Sequence, residues 1–327
     1  MTVPVLDVAD LRTEFRIRGR WCAAVDGISI TLGAGETLAL VGESGCGKSI
    51  TALSIIGLVP GPFGRIGGGS IRLDGTDLVG MTERQLERLR GDRVAMIFQE
   101  PMTSLNPVMT IGAQIAEGLR IHRKLSKAAA QARALAMLEE VRIPSAAARF
   151  HDYPHQFSGG MRQRVMIATA LACEPKLLLA DEPTTALDVT IQAQVLGLLA
   201  DLQRRHGMAM LFITHNLGVV AQIADRVAVM YAGQIVEQGP VGAIFSHPAH
   251  PYTRALFAAI PRLDGDAQPL AALPGRVPSL DAMPAGCRFA PRCPMARAGC
   301  DRPQVLAGVG EAHAARCHVA TGEMAHA

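Results

Sequence analysis

The stretch Gly42-Glu-Ser-Gly-Cys-Gly-Lys-Ser49 follows the apolar run Leu38–Val41 and precedes a helical pattern, and it decides the fold. Its glycines allow backbone N–H groups to turn inward around a phosphate, and the N-terminus of the following helix adds a favourable dipole. This phosphate-loop pattern predicts nucleotide binding, with Lys48 at the β- and γ-phosphates and Ser49 at Mg²⁺. For the pattern alone, a glycine-rich turn that matches by chance is the alternative. The predicted contacts are Gly42, Glu43, Ser44, Gly45, Cys46, Gly47, Lys48 and Ser49.

A second apolar run, Lys176-Leu-Leu-Leu-Ala-Asp-Glu182, ends in two carboxylates. An aspartate at the end of a buried strand can hold Mg²⁺, so Asp181 is a predicted magnesium residue. Glu182 would then face the γ-phosphate, where a carboxylate can polarise an attacking water. By itself the pair could be an ordinary solvated strand end, but its position after a phosphate loop favours a catalytic role.

Composition limits the classes of function. Of the 327 residues 49 % are hydrophobic and 19 % are charged, and the net charge is +3. We therefore expect a well-cored protein, and no basic block indicates nucleic acid as a partner. Asp7, Asp10 and Glu14 interrupt the N-terminal segment, which does not resemble a signal peptide. The longest apolar stretches fall short of the ~20 residues that cross a bilayer, so we expect a cytosolic chain or one held at a membrane through partners.

Short apolar runs alternate with helical patterns, which predicts an α/β fold with a mainly parallel sheet. The predicted strands cover residues 38–41, 94–98, 177–180, 209–214 and 227–231. A capping-box pattern at Thr82 and Gln85 predicts one helix start, and a second helix is expected over about 126–141. Strand signals disappear after Gln99, which predicts an inserted helical subdomain over about 100–168. Proline and glycine become frequent after Gly239, so we expect a nucleotide-binding domain over 1–240 and a small, loop-rich extension over 241–327.

A third motif indicates the family. Phe157-Ser-Gly-Gly-Met161, followed by Arg162-Gln-Arg164 and an apolar helix, resembles the signature motif of ABC ATPases. Serine and glycine at a helix N-terminus can bind an anion, and a simple capped helix is the alternative. The resemblance covers about residues 5–240, and it implies an ABC-type phosphate-loop NTPase core that binds ATP and Mg²⁺ and hydrolyses ATP. In this family the motif, here Ser158, Gly159 and Gly160, binds the γ-phosphate held by the opposite subunit.

The remaining family motifs follow in order. Gln99 is similar to the Q-loop glutamine, which implies a catalytic and magnesium role, and Ala186-Leu-Asp188 is similar to the D-loop. His215 is similar to the switch histidine, which implies a catalytic role beside Glu182. Phe15 is similar to the aromatic residue that stacks on adenine, with Trp21 a weaker candidate. Asn216 departs from the aspartate that usually follows the switch histidine. Each residue has a purely structural alternative when it is considered alone.

Four segments resemble the ATPase subunits of peptide importers, a group that includes nickel and glutathione systems. They are 99–107, 153–164, 180–192 and His247-Pro-Ala-His-Pro-Tyr-Thr253, which opens the extension. The resemblance implies import of dipeptides or oligopeptides, with a second ATPase subunit, commonly a paralogue, two integral membrane permeases and an extracytoplasmic substrate-binding protein as partners. It also implies a peripheral position at the cytoplasmic face of the inner membrane. The cargo stays open.

Four of the seven cysteines lie in the extension: Cys287, Cys293, Cys300 and Cys317. Their spacings differ from the close pairs of typical zinc ribbons. They resemble the [4Fe–4S] motif found in the extensions of some peptide-importer ATPases. Zinc bound by the same four thiolates, or four free thiols in a loose tail, are the alternatives.

Two further hypotheses come from other classes. A non-transport ABC ATPase of DNA repair or ribosomes usually has two ATPase halves, long coiled coils or zinc-binding insertions, and the sequence has one ATPase unit and no coiled-coil heptads. A small-molecule kinase with a phosphate loop is more distant, because the signature motif argues against it.

Overall fold

The structure is a computed structural model that describes residues 3–99, 104–185, 187–259 and 273–324. Its strands are β1 Leu6–Ile17, β2 Arg20–Leu32, β3 Thr37–Val41, β4 Gly64–Leu73, β5 Thr76–Asp77, β6 Val94–Ile97, β7 Leu177–Asp181, β8 Ala209–Thr214, β9 Arg226–Tyr231, β10 Gln234–Pro240, β11 Ala307–Gly310 and β12 His313–Ala315. The helices are α1 Lys48–Ile55, α2 Glu83–Leu89, α3 Ile111–His122, α4 Lys127–Glu140, α5 Ala146–Arg149, α6 Gly159–Leu171, α7 Val189–His206, α8 Leu217–Ile223, α9 Val241–Ser246, α10 Pro251–Ala258 and α11 His318–Met324.

The chain forms two compact units that interleave along the sequence. The first unit comprises Met1–Leu6, Thr31–Glu36 and Arg72–Ile213, and the second comprises Asp7–Ile30, Thr37–Ile71 and Thr214–Ala327. The second unit therefore combines the phosphate loop with the C-terminal extension. The boundary near residue 240 and the subdomain limits at about 100 and 168 stay predictions.

In the first unit, β6, β7 and β8 are neighbouring parallel strands, in which Ile97 pairs with Ala180 and Ala180 pairs with Phe212. Every residue of β7 is buried, which explains why the strand is a continuous apolar run in the sequence. Because parallel strands end at the same edge of a sheet, the residues that follow β6 and β7 are brought together there. The predicted α/β fold is confirmed.

Local capping fixes two of the helix starts expected from the sequence. The Thr82 backbone N–H donates to Gln85 Oε1 at 2.9 Å, and α2 begins at the next residue. Ser126 Oγ accepts from the Ala129 N–H at 3.2 Å at the start of α4. Between 104 and 171, the described residues form helices and turns and contain no strand.

In the second unit, β3 and β9 are parallel, whereas β10, β12 and β11 continue the sheet in antiparallel order. The strands β2, β1 and β4 are neighbours in a separate sheet, which the sequence patterns did not predict. Their burial alternates irregularly, and β4 contains four glycines, so the apolar signal is weak. None of the helices in the described ranges is long and apolar enough to span a membrane.

The extension is anchored on β9 and β10. The rings of Tyr231, Tyr252 and Phe289 form a buried cluster with centroid distances of 4.7, 5.3 and 5.4 Å. The fully buried carboxylate of Glu237 accepts hydrogen bonds from the Ala249 N–H at 2.7 Å and the His250 N–H at 2.8 Å. Its Oε1 also lies 2.7 Å from His313 Nε2. A buried polar group is tolerated where hydrogen bonds satisfy it, as these do for the Glu237 side chain.

Candidate nucleotide site

The phosphate loop connects β3 to α1, as the sequence predicts. Gly42 has a φ of +154° and Gly47 a φ of +109°. A Cβ at Gly42 would lie 2.2 Å from the Met230 carbonyl oxygen, and one at Gly47 would lie 2.5 Å from the end of the Met230 side chain. The close approach of β9 therefore demands glycine at both positions.

Lys48 is buried and lies over the loop. Its Nζ donates to the carbonyl oxygen of Gly42 at 2.8 Å and to that of Glu43 at 3.1 Å. Ser44 and Gly45 are exposed, so the outer part of the loop remains accessible to a ligand. Burial raises the pKa of the Cys46 thiol, which disfavours the reactive thiolate form. The loop thus offers one ammonium group and several backbone N–H groups to an anion.

The end of β7 carries the two predicted carboxylates. Asp181 is buried, and Glu182 follows with a φ of +46°, a conformation that few non-glycine residues adopt. Glu182 Oε2 accepts a hydrogen bond from Gln99 Nε2 at 3.2 Å and another from Thr185 Oγ1 at 3.0 Å. The structure therefore brings Gln99 and Glu182 together. Thr185 was missed because a single hydroxyl three residues after a carboxylate is a weak signal.

The signature segment begins helix α6. Ser158 is exposed and caps the helix, and its Oγ accepts from the Met161 N–H at 3.4 Å. Gly160 is required by packing, because a Cβ there would lie 2.6 Å from Ile191 Cγ2 in α7. Gly159 has no such neighbour, since its Cβ would be 4.0 Å from Leu187. The helix N-terminus is thus presented to solvent with a short, glycine-rich first turn.

Asp188 lies at the start of α7, where its Oδ1 accepts from the Ile191 N–H at 2.9 Å. This contact makes it a helix cap, and its D-loop role stays a prediction. Ala186 and residues 100–103, which belong to two of the motifs, lie outside the described residues.

In the second unit, His215 is exposed directly after β8. Its neighbour Asn216 caps α8: its Oδ1 accepts from the Gly218 N–H at 3.0 Å and from the Val219 N–H at 3.4 Å. Asparagine and aspartate are equally good N-caps, so the departure from the usual aspartate leaves this capping function intact.

The two aromatic candidates differ in surroundings. Phe15 is half-buried on β1 and lies close to Gly64, where a Cβ would be 2.8 Å from its ring. The Arg65 guanidinium carbon lies 4.0 Å from the centroid of the Trp21 ring, so a cation already occupies one face of that indole. This favours Phe15 over Trp21 for stacking on adenine.

The four extension cysteines lie in one region of the second unit. The Cys287 N–H donates to the Cys300 carbonyl at 2.8 Å. Burial raises the pKa of the Cys287 thiol, and the nearby thiols of Cys300 and Cys317 raise it further, whereas hydrogen bonds from the backbone act in the opposite direction. Within the described ranges, no three histidine, cysteine or acidic side chains are placed to hold a metal ion.

A contact that the sequence patterns did not predict links the extension to the phosphate loop. Arg292 Nη1 and Nη2 donate to the two carboxylate oxygens of Glu43 at 2.8 and 3.0 Å. The Glu43 backbone N–H donates to Tyr252 Oη at 2.9 Å. No local pattern could reveal a pair whose members are 249 positions apart.

Two families match this sequence. The ABC transporter family matches residues 25–185, and the family described as the oligopeptide/dipeptide transporter C-terminal region matches residues 236–300. A peptide import ATP-binding protein of Brucella abortus (strain 2308) is 51 % identical over 316 residues, which cover 97 % of this chain and 95 % of that protein. A protein of the same description from Brucella ovis is 54 % identical, with 96 % of each chain covered.

Solved structures of ABC transporter proteins are similar to most of this chain. A dimeric structure of MJ0796, a bacterial ABC transporter cassette, is similar with a TM-score of 0.65 and 25 % identity, covering 72 % of this chain and 98 % of that one. The structure of cbiO1 from Clostridium perfringens, part of the ABC transporter complex cbiONQ, is similar with a TM-score of 0.64 and 25 % identity, covering 75 % and 92 %.

Proposed function

This chain belongs to the ATP-binding subunits of ABC-type peptide importers, and we propose that it uses the residues described above to hydrolyse ATP and drive the import of dipeptides or oligopeptides. The observation that carries the residue assignment is the contact between Gln99 and Glu182 beside a buried Asp181. A strand-end carboxylate, a second carboxylate held by donors and a separate phosphate loop are the components that nucleotide hydrolysis requires.

The binding roles follow from the chemistry of each group. Lys48 and the N–H groups of the loop hold the phosphates, and Phe15 stacks on adenine. Mg²⁺ prefers oxygen ligands, and Ser49, Gln99 and Asp181 offer a hydroxyl, an amide and a carboxylate oxygen. The bound ion would offset negative charge on the phosphates.

The catalytic roles belong to two further residues. Gln99 and Thr185 hold the orientation of Glu182. Its carboxylate polarises the attacking water or accepts a proton from it. The exposed His215 assists the attacking water together with Glu182. Ser158, Gly159 and Gly160 of one subunit serve the ATP held by the other, so that ATP binding closes a pair of ATPase subunits and hydrolysis reopens it. The closing motion reaches two integral membrane permeases, while a separate extracytoplasmic protein selects the cargo.

The direct test is a fluorescent ATP titration. Lys48→Ala removes the ammonium group from the loop and should weaken nucleotide binding by about 100-fold, because charge-assisted bonds to phosphate are lost. Lys127→Ala removes an exposed lysine at the start of α4 and is the matched control. Equal affinities in the two variants would overturn the assignment of the loop.

A pull-down from membranes separates the transporter from a non-transport ABC ATPase. The full chain should recover integral permeases only if it is a transporter subunit. Recovery of nucleic-acid or ribosomal partners, without permeases, would contradict the importer assignment.

For the four cysteines we propose a [4Fe–4S] cluster in preference to zinc. The sequence spacings of the four cysteines differ from those of typical zinc ribbons, and backbone N–H donors near Cys287 and Cys293 suit the sulfurs of a cluster. The cluster would hold the loop-rich segment together.

Metal analysis after anaerobic purification tests this proposal. Iron with broad visible absorbance, lost in Cys293→Ser and retained in the control Cys173→Ser, is expected. One zinc ion per chain, or no metal in the wild type and in Cys173→Ser, would contradict the cluster proposal.

A further inference from the structure

Arg292 connects the cysteine segment of the extension to the phosphate loop. It ends a short 3₁₀ turn, Ala290–Arg292, that lies between Cys287 and Cys293. Its side chain is only 6 % exposed, and both terminal nitrogens face the Glu43 carboxylate. This is a bidentate pair, the geometry in which an arginine cannot be replaced by lysine without losing one of the two bonds.

Several other contacts fix the guanidinium in this position. Arg292 Nε donates to the Pro274 carbonyl at 2.8 Å, and Nη1 also lies 3.3 Å from Tyr231 Oη. Its guanidinium carbon lies 5.7 Å from the Tyr231 ring centroid and 6.0 Å from that of Phe289. Because Tyr231 and Phe289 belong to the aromatic cluster that anchors the extension, the position of Arg292 depends on the fold of the extension.

Glu43 links Arg292 to Lys48, the residue that should bind phosphate. Its carboxylate is held by Arg292, its N–H by the buried Tyr252 hydroxyl and its carbonyl oxygen accepts from Lys48 at 3.1 Å. Two of these three contacts come from the extension, and the third involves the lysine that should bind phosphate. Arg292 also neutralises a carboxylate that would otherwise repel a polyphosphate beside the loop.

We propose that Arg292 is a positioning residue for the phosphate loop, through which the C-terminal extension controls the affinity for MgATP. This inference rests on the proposed nucleotide site. The contact gives the extension a role in nucleotide binding. Anything that rearranges the Cys287–Cys293 turn displaces Arg292 and weakens ATP binding. By linkage, bound MgATP must stabilise the same turn to the same extent.

The test is a double-mutant cycle on the full chain, with the dissociation constant of a fluorescent ATP analogue and Mg²⁺ as the readout. Arg292→Gln should raise the dissociation constant by about tenfold. In a Glu43→Gln background, the same replacement should change it by less than about twofold, because Arg292 acts through Glu43. Two independent effects that multiply would overturn the proposal.

A matched control separates positioning from general stability. Arg316 is another arginine of the extension, and it donates to the carbonyls of Ile235 and Gln304, neither of which belongs to the phosphate loop. Arg316→Gln should lower the thermal midpoint without changing ATP affinity. Should Arg292→Gln fail to fold, Glu43→Gln breaks the same pair from the exposed side. Unchanged affinity in both folded variants would overturn the proposal, whereas unchanged affinity in Lys48→Ala as well would overturn the site assignment itself.

Hydrogen exchange measures the reciprocal effect. In the wild type, MgATP should slow exchange of the Arg292 and Cys293 amides, whose N–H groups bond to Phe289 and Ala290 within the turn. The protection should disappear in Arg292→Gln at saturating MgATP. Equal protection in both proteins would show that the turn responds to nucleotide by another route, and would contradict the proposal.

Discussion

At the scale of the residue, Glu182 combines strain with precise hydrogen bonding. Its φ of +46° costs about 1–3 kcal/mol in a residue with a Cβ. The backbone nevertheless holds this conformation, and the Glu182 N–H continues the sheet by donating to the Ile213 carbonyl at 3.0 Å. Strain of this kind is commonly found where a side chain must point in one functional direction.

Replacing Glu182 by glutamine tests its role. The amide keeps the shape of the side chain but cannot accept a proton, so we expect the rate of ATP hydrolysis to fall by roughly 100-fold or more. MgATP affinity should stay within about threefold, because the role proposed for Glu182 is to act on the attacking water and not to bind the phosphates. Phosphate release and ATP titration measure the two quantities.

A surface glutamate provides the control for this replacement. Glu174 pairs with Arg133 and is 57 % exposed, so Glu174→Gln should leave hydrolysis unchanged. Normal hydrolysis in Glu182→Gln would assign the catalytic base to another residue.

At the scale of the element, the N-terminus of α6 is placed by close packing against α7. Because a Cβ at Gly160 would lie 2.6 Å from Ile191 Cγ2, Gly160→Ala forces the Ile191 side chain or one of the two helices to shift. We expect a loss of about 1–3 kcal/mol in the free energy of unfolding, seen as a lower thermal midpoint. Ile191→Ala in the same chain should recover part of the loss.

The neighbouring glycine supplies a matched control, since Gly159→Ala meets its nearest atom only at 4.0 Å. It should leave the midpoint unchanged or raise it, because alanine favours helix. Equal midpoints for the two alanine variants would contradict the packing argument.

Helix α10 gives a pH-dependent prediction. His250 caps it, with Nδ1 accepting from the Tyr252 N–H at 3.0 Å. Burial, with smaller contributions from Arg254 and Arg316, lowers the pKa of His250 to about 3. In the unfolded chain this histidine binds a proton below a pKa of about 6.5, whereas in the folded chain it stays neutral until the pH approaches 3. Its contribution to the free energy of unfolding is therefore fully present above pH 6.5 and is lost as the pH falls towards 3.

Protonation of His250 in the unfolded chain should by itself make the free energy of unfolding about 2 kcal/mol lower at pH 5 than at pH 7. His250→Asn keeps a capping acceptor and removes the titration, so its thermal midpoint should depend less on pH over this range. An identical pH dependence in the two proteins would show that other groups cause it.

At the scale of the whole molecule, the chain should power peptide uptake. In the source cell, Lys48→Ala should abolish ATP-dependent uptake of labelled dipeptides, while Lys127→Ala should not. Immunodetection of both proteins at normal levels is the control for expression. Unchanged uptake in Lys48→Ala would direct the search to nickel, glutathione or another cargo, or to a redundant importer.

The sequence determined those features that depend on residues near one another in the chain. The phosphate loop, the Asp181–Glu182 pair and the first turn of α6 are each contained in a few consecutive residues, and their chemistry follows from residue type and spacing. The same holds for the helix starts at Thr82 and Ser126, which are fixed by bonds over three residues. Continuous apolar runs likewise predicted the buried parallel strands.

Only the tertiary structure decided which distant groups meet. The pairing of β1, β2 and β4 was not predicted, because glycines and irregular burial weaken their pattern. The contact of Gln99 with Glu182 depends on the shared edge of parallel strands, and that of Arg292 with Glu43 on the packing of the extension. Local sequence encodes the chemistry of a side chain, whereas its partner is selected by burial and hydrogen bonding across the folded chain.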